Sequence, residues 1–153
     1  MQVAKAIIFD AKQNALILRR SGTHPTYAYH LDLPGGEVEP DESPRSAVVR
    51  EVSEEAGLRF GPKEFICIHQ RKQLDGQQYL LYIATIDGVK PDVTISWEHD
   101  QFMWVSLDEL IHKDLPENVD DYYVMVVEYV QKHIVDRGTQ YAKDVTSTGN
   151  AYS

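Results

Sequence analysis

Short blocks of apolar residues, rich in β-branched types and parted by polar turns, fill most of this chain and predict strands. "VAKAIIF" (Val3–Phe9) and "ALILRR" (Ala15–Arg20) are two such blocks, with the turn "DAKQN" between them. "SGTHPTYAYH" (Ser21–His30) has Gly, Pro and polar aromatics but no period, and reads as a loop; "LDL" then runs extended into Pro34. "DESPRSAVVREVSEEAGL" carries helix signals at both ends. Ser43 suits the N-cap, Pro44 the first helical position and Gly57 the left-handed C-terminal cap. "EFICIHQRKQL" and "QQYLLYIATI" are β-rich and flank Asp75-Gly76, a hairpin signal. "FMWVSL" (Phe102–Leu107) is a further strand, and "SLDEL" opens a short helical turn. "NVDDYYVMVVEYVQKHIV" (Asn118–Val135) reads as a C-terminal helix with Asn118 as a candidate N-cap, although its β-branched residues weaken the propensity. The remaining "RGTQYAKDVTSTGNAYS" lacks apolar periodicity and reads as a loose tail. These elements predict an α/β domain over residues 1–136, a mixed sheet with one central and one terminal helix, followed by the tail 137–153.

The chain's 153 residues suffice for one domain with a sizeable core. A net charge of -9 disfavours nucleic acid and membrane surfaces as partners, but it admits an anionic small molecule if a cation bridges the two. Cys67 is the only cysteine, which excludes an intramolecular disulfide and a cysteine zinc cage. The amino-terminal "MQVAKAIIFD" is too short and too soon charged for a signal peptide, and no apolar run reaches membrane-span length. A cytoplasmic location is the expectation.

The chemistry concentrates in "LPGGEVEPDESPRSAVVREVSEEAGL" (Leu33–Leu58). On a helix turning roughly 100° per residue, Glu54 and Glu55 fall about 60° and 40° to either side of Glu51, so three carboxylates share one narrow face. Val48, Val52 and Ala56 form the adjoining apolar stripe, which puts the acidic face at the edge of the buried one. Like charges at this spacing repel, more so where water is partly excluded. A solvated acidic face, with Arg50 pairing to Glu54, would account for the cluster. So would a hard divalent cation, which takes oxygen ligands and relieves the repulsion. The glycines of "LPGG" favour the second account, because they let backbone approach a ligand closely.

Gly36, Glu42, Arg50-Glu51-Val52, Glu54-Glu55 and Gly57-Leu58 together resemble the Nudix box, with every fixed position filled over Gly36–Leu58. The resemblance implies a Nudix α/β/α sandwich and a hydrolase of nucleoside diphosphates linked to another group. It implies Mg²⁺ as cofactor, with Mn²⁺ as an alternative, held by Glu51, Glu54, Glu55 and the Gly35 carbonyl. Glu54 and Arg50 would belong to the catalytic set, Arg50 by orienting the glutamates, and Glu42 would support them. Glu98, in "WEHDQFMWVSLDEL", matches a loop glutamate that family members use as an extra metal ligand or as the base. A plain surface acid is the other account of it, and His99 and Asp100 are fallback candidates.

The substrate is less determined. Accessory runs typical of NADH-cleaving and coenzyme A-cleaving members are missing. "RRSGTHPTYAYHLDLPGG", the spacing of Glu98 to Trp104 and "PEN" (Pro116–Asn118) resemble MutT-type enzymes, which remove oxidised purine triphosphates. On that resemblance Arg20 and Asn118 would bind substrate, Asn118 reading the base, unless it only caps the last helix. Tyr27, Tyr29, Tyr79 and Tyr82 can stack on a base or simply pack, and of these Tyr27 and Tyr79 are the candidates taken for the substrate site. His24 and His30 read as polar loop residues. The expected activity is thus a house-cleaning nucleotide pyrophosphohydrolase acting on a free nucleotide, with a homodimer left open. The alternatives are the same chemistry on a dinucleoside polyphosphate, a nucleotide sugar or capped RNA, and a catalytically silent nucleotide-binding regulator.

Overall fold

A computed structural model of the chain describes residues 1–112, Glu128 and residues 130–132. Asn118, most of the helix expected over Asn118–Val135, and the tail 137–153 lie outside the described residues.

Seven strands form one sheet among the described residues: β1 (Gln2–Phe9), β2 (Asn14–Arg20), β3 (Leu31–Asp32), β4 (Gly35–Glu37), β5 (Ile66–Lys72), β6 (Gln78–Thr85) and β7 (His99–Ser106). Among the described residues, Pro44–Ala56 forms α1 and Leu107–His112 forms α2. The main path runs β3-β2-β1-β6-β5, with β4 added to β1 and β7 to β2. β1 is central. It pairs in parallel with β6 from Gln2↔Gln78 to Phe9↔Thr85, and antiparallel with β4. The sheet is therefore mixed. The β5–β6 hairpin turns at Gly76, which adopts φ 89°, while Asp75 Oδ1 accepts from the Gln77 amide at 2.9 Å.

Alternation along the strands gives the sheet two apolar faces. Ile7, Phe9, Ile17, Leu81 and Ile83 pack on one side with Leu110 of α2 and with Val130. Ala4, Ala6, Ile8, Leu16, Leu18, Leu80 and Tyr82 pack on the other, under Val48, Val52 and Ala56 of α1. Burial on both faces explains why β1 and β2 read as continuous apolar runs rather than as alternating ones. The predicted strands and central helix are all present. β7 begins at His99, three residues before the expected Phe102, because its ladder with β2 continues past a bulge to Arg20↔His99. β3 and β4 are too short for periodicity to register.

α1 starts and stops as its sequence signals require. The Ser43 hydroxyl accepts from the Ser46 amide at 3.1 Å, and Gly57 closes the helix at φ 68°, its amide donating to the Ser53 carbonyl.

Candidate active site

α1 lies against β1 and β4, which turns its acidic edge onto the glycine segment Gly35–Gly36. That contact is close enough to need glycine twice. A Cβ on Gly35, at φ 136°, would sit 2.3 Å from the Ala4 carbonyl oxygen, and one on Gly36 would sit 2.8 Å from Glu51 Oε1. The Gly35 amide donates to Glu55 Oε1 at 3.1 Å, tying β4 to the helix.

The three glutamates share a face but not an environment. Glu54 is exposed, Glu51 half-buried and Glu55 only 2% exposed. Burial pushes the Glu55 carboxyl well above the ordinary range; Lys5 opposes the shift, while Asp32 and a hydrogen bond with Glu51 add to it. Arg50 lies across the other two, with Nη1 3.0 Å from Glu51 and 3.3 Å from Glu54, while Nη2 donates to Glu42 at 2.6 Å. The bond with Glu42 raises the Arg50 pKa and lowers that of Glu42.

These groups border a cleft of about 890 Å³ whose floor is a buried charged cluster. Asp32 accepts from Lys5, from Arg20 Nε at 3.0 Å and from the Leu33 amide at 2.9 Å. Burial alone would raise its pKa, yet Lys5 and Arg20 together hold it below the ordinary value. Arg20 also stacks on the Tyr27 ring at 5.6 Å.

On the far wall, Glu98 and His99 enter the cleft just after the segment that docks on the end of α1. The Thr94 and Ser96 amides donate to the carbonyls of Ala56 and Glu55. His99 Nε2 is 3.4 Å from Glu55 Oε2, but neither ring nitrogen has hydrogen-bonding geometry with any described residue. Burial lowers the His99 pKa to about 4, so the ring is neutral near pH 7.

Of the residues singled out in the sequence, Gly35, Glu51, Glu54, Glu55, Glu98, Arg20, Tyr27 and Tyr79 all line this cleft. Arg50 borders it through its bonds to Glu51 and Glu54. Tyr82 is buried in the core under α1. Asp100 is turned away and paired with Arg19 at 2.7 Å. Lys5 and Asp32 carried no signal in the sequence: a lysine within an apolar run and an aspartate in a two-residue strand look like surface residues until β1 and β3 are seen to meet at Arg20. Among the described residues no three His, Cys, Asp or Glu side chains converge on a single metal position, and Arg50 now occupies the space between Glu51 and Glu54. The carboxylates of Glu51 and Glu55 beside Gly35–Gly36 are oxygen donors, which suit a hard divalent cation. The unfavourable burial of Glu55 is the kind of deficit that such a cation would relieve.

The family described as NUDIX domain matches residues 1–126. The chain is 30% identical over 115 residues to the CTP pyrophosphohydrolase of Escherichia coli (strain K12), covering 75% of this chain and 82% of that protein. It is 38% identical over 58 residues to the 8-oxo-dGTP diphosphatase of the same organism, covering 38% of this chain and 44% of that one. The crystal structure of a MutT protein from Methanosarcina mazei Go1 superposes with a TM-score of 0.64 at 31% identity, over 86% of this chain and 93% of that one. With a glutamate-edged helix packed on a glycine turn, a sheet covered on both faces and a family match over most of its length, the chain belongs to the Nudix hydrolase family.

Proposed function

We propose that this protein is a divalent-cation-dependent pyrophosphohydrolase of a free nucleoside di- or triphosphate derivative, of the house-cleaning type that includes 8-oxo-dGTP. The observation that carries the reading is the clustering of Glu51, Glu54 and Glu55 against Gly35–Gly36 at the edge of a cleft large enough for a nucleotide. In this reading Glu51, Glu54, Glu55 and the Gly35 carbonyl hold Mg²⁺ or Mn²⁺, with Glu98 as a further ligand or as the base. A cation bound there supplies neutralisation of phosphate charge and a lowered pKa for water. Arg50 holds Glu51 and Glu54 in place through charge-assisted hydrogen bonds. Glu54 or Glu98 takes the proton of the attacking water as it adds to phosphorus and the phosphoanhydride bond breaks. Tyr27 stacked on Arg20 offers an aromatic face for the base, and Tyr79 lines the same cleft. Asn118 is assigned to the base edge, where its amide can present both donor and acceptor.

The 8-oxo purine preference rests on Arg20, the loop after it and Asn118; relatives named for CTP and for 8-oxo-dGTP make the base the open variable. Turnover of CTP, dGTP, 8-oxo-dGTP and diadenosine tetraphosphate with Mg²⁺, with pyrophosphate and phosphate detected separately, tests the reading. The expected result is a nucleoside monophosphate plus pyrophosphate, fastest from 8-oxo-dGTP. Preference for the dinucleotide overturns the substrate assignment, and binding without turnover of any nucleotide overturns the enzymatic one. Asn118→Asp should keep stability within roughly 0.5 kcal/mol but lower kcat/KM for 8-oxo-dGTP about tenfold. Unchanged discrimination against dGTP removes Asn118 from base reading.

A further inference from the structure

The loop between β2 and β3 meets Glu98 at its backbone and at its side chain. The Ser21 amide donates to the Glu98 carbonyl at 2.8 Å, which fixes the glutamate's backbone. The His24 amide donates back to the Ser21 carbonyl at 3.1 Å, folding the loop so that the imidazole turns toward the same glutamate. Its Nδ1 accepts from the Thr26 amide at 3.1 Å. A ring nitrogen that accepts a hydrogen bond carries no proton, so this ring bears its N–H on Nε2. Nε2 lies 3.7 Å from Glu98 Oε2. The His24 side chain is 13% exposed and its ring stands 6.1 Å from that of His99. The bulge between Arg19 and Arg20 sits where β2 gives way to this loop, and it re-aims the pair Arg20↔His99 next to Glu98.

We propose that His24 is a positioning residue: with its tautomer set by Thr26, it holds the Glu98 carboxylate toward the glutamates of α1. The proposal rests on the reading of Glu98 as ligand or base. A glutamate on a loop otherwise spends most of its time in other rotamers, and an N–H group 3.7 Å from one of its oxygens favours the one that faces the cleft, the contact shortening to a hydrogen bond when the site is loaded.

Two amide substitutions separate this role from loop packing. The amide of Gln reaches the position of Nε2 and can offer an N–H there, while the shorter amide of Asn reaches only the position of Nδ1. With the fastest nucleotide of the panel and saturating Mg²⁺, His24→Ala and His24→Asn should each lower kcat about tenfold, with KM changed less than about twofold. His24→Gln should recover most of the loss. Melting temperatures without cation report on the loop separately, and should fall less for His24→Asn than for His24→Ala. Glu98→Gln alone should lower kcat by about 100-fold, and His24→Ala added to it should cost nothing further, since coupled groups are not additive. Wild-type kcat in His24→Asn, or losses that multiply in the double variant, overturns the positioning role while leaving Glu98 in place. Near-wild-type turnover of Glu98→Gln instead removes the reading of Glu98, and this inference falls with it.

Discussion

Glu54 and Glu55 are neighbours in the chain with opposite surroundings, one in water and the other sealed between β4 and His99. Both should matter to turnover, for the same reason: a missing carboxylate removes charge that stabilises the reaction. Glu54→Gln and Glu55→Gln are each expected to lower kcat by about 100-fold or more. Glu55 should also alter the pH dependence of stability. Its folded pKa is raised, so its contribution is present below the ordinary value of 4.5 and is lost as pH rises toward the folded one. His99 has the opposite sign. Its pKa falls from 6.5 to about 4, so it adds stability as pH rises through that interval and nothing beyond it. In EDTA, melting of the wild type above pH 6.5 should therefore carry the Glu55 penalty alone, and Glu55→Gln should melt higher there. Equal melting temperatures for the two proteins at pH 8 would show that Glu55 does not bear this burial cost.

At the scale of elements, the turn from β4 into α1 makes a paired prediction. Gly35→Ala drives a Cβ into the backbone of β1, which cannot yield without breaking the sheet, so this variant should fail to fold. Gly36→Ala first meets the Glu51 carboxylate, the movable end of a side chain. It should fold with a melting temperature close to wild type, yet lose about tenfold or more in kcat by displacing that group. A Gly36→Ala protein with full activity would mean that the position of Glu51 is not critical. The same elements show what a sequence can carry. The limits of α1 were legible because capping is local chemistry: Ser43, Pro44 and Gly57 each act within a few residues. The acidic edge was legible because helical geometry fixes side-chain direction. The cleft floor was not, since Lys5, Arg20 and Asp32 come from three strands and become a cluster only through pairing across the sheet. The unequal burial of Glu51, Glu54 and Glu55 was hidden for the same reason, being set by what β4 and His99 place against the helix. Strand limits fell between these cases: β7 outran its apolar core because its partner β2 continued.

For the whole molecule, net charge bears on the proposed cation binding. The chain carries a formal charge of -9, and part of that charge is concentrated at α1. A cation that binds only the folded state raises the melting temperature with concentration. Mg²⁺ should do so here, EDTA should reverse it, and Glu55→Gln should blunt it. Activity should vanish in EDTA and rise toward mildly alkaline pH, because the attacking water must give up a proton. Full turnover after dialysis against EDTA would refute the cation requirement.

The central position of β1 also sets a timetable. Its parallel partner β6 ends at Thr85, so at the ~5–20 residues per second of synthesis the first strand made waits several seconds for the strand that completes it. Throughout that interval Ala4, Ala6, Ile7 and Ile8, all fully buried in the finished protein, lack the cover that β6 supplies. A nascent chain halted before Gln78 is then a sticky apolar thread rather than a partial enzyme. The newborn protein should be digested readily by protease until the ribosome has released β6, and should become resistant in one step thereafter.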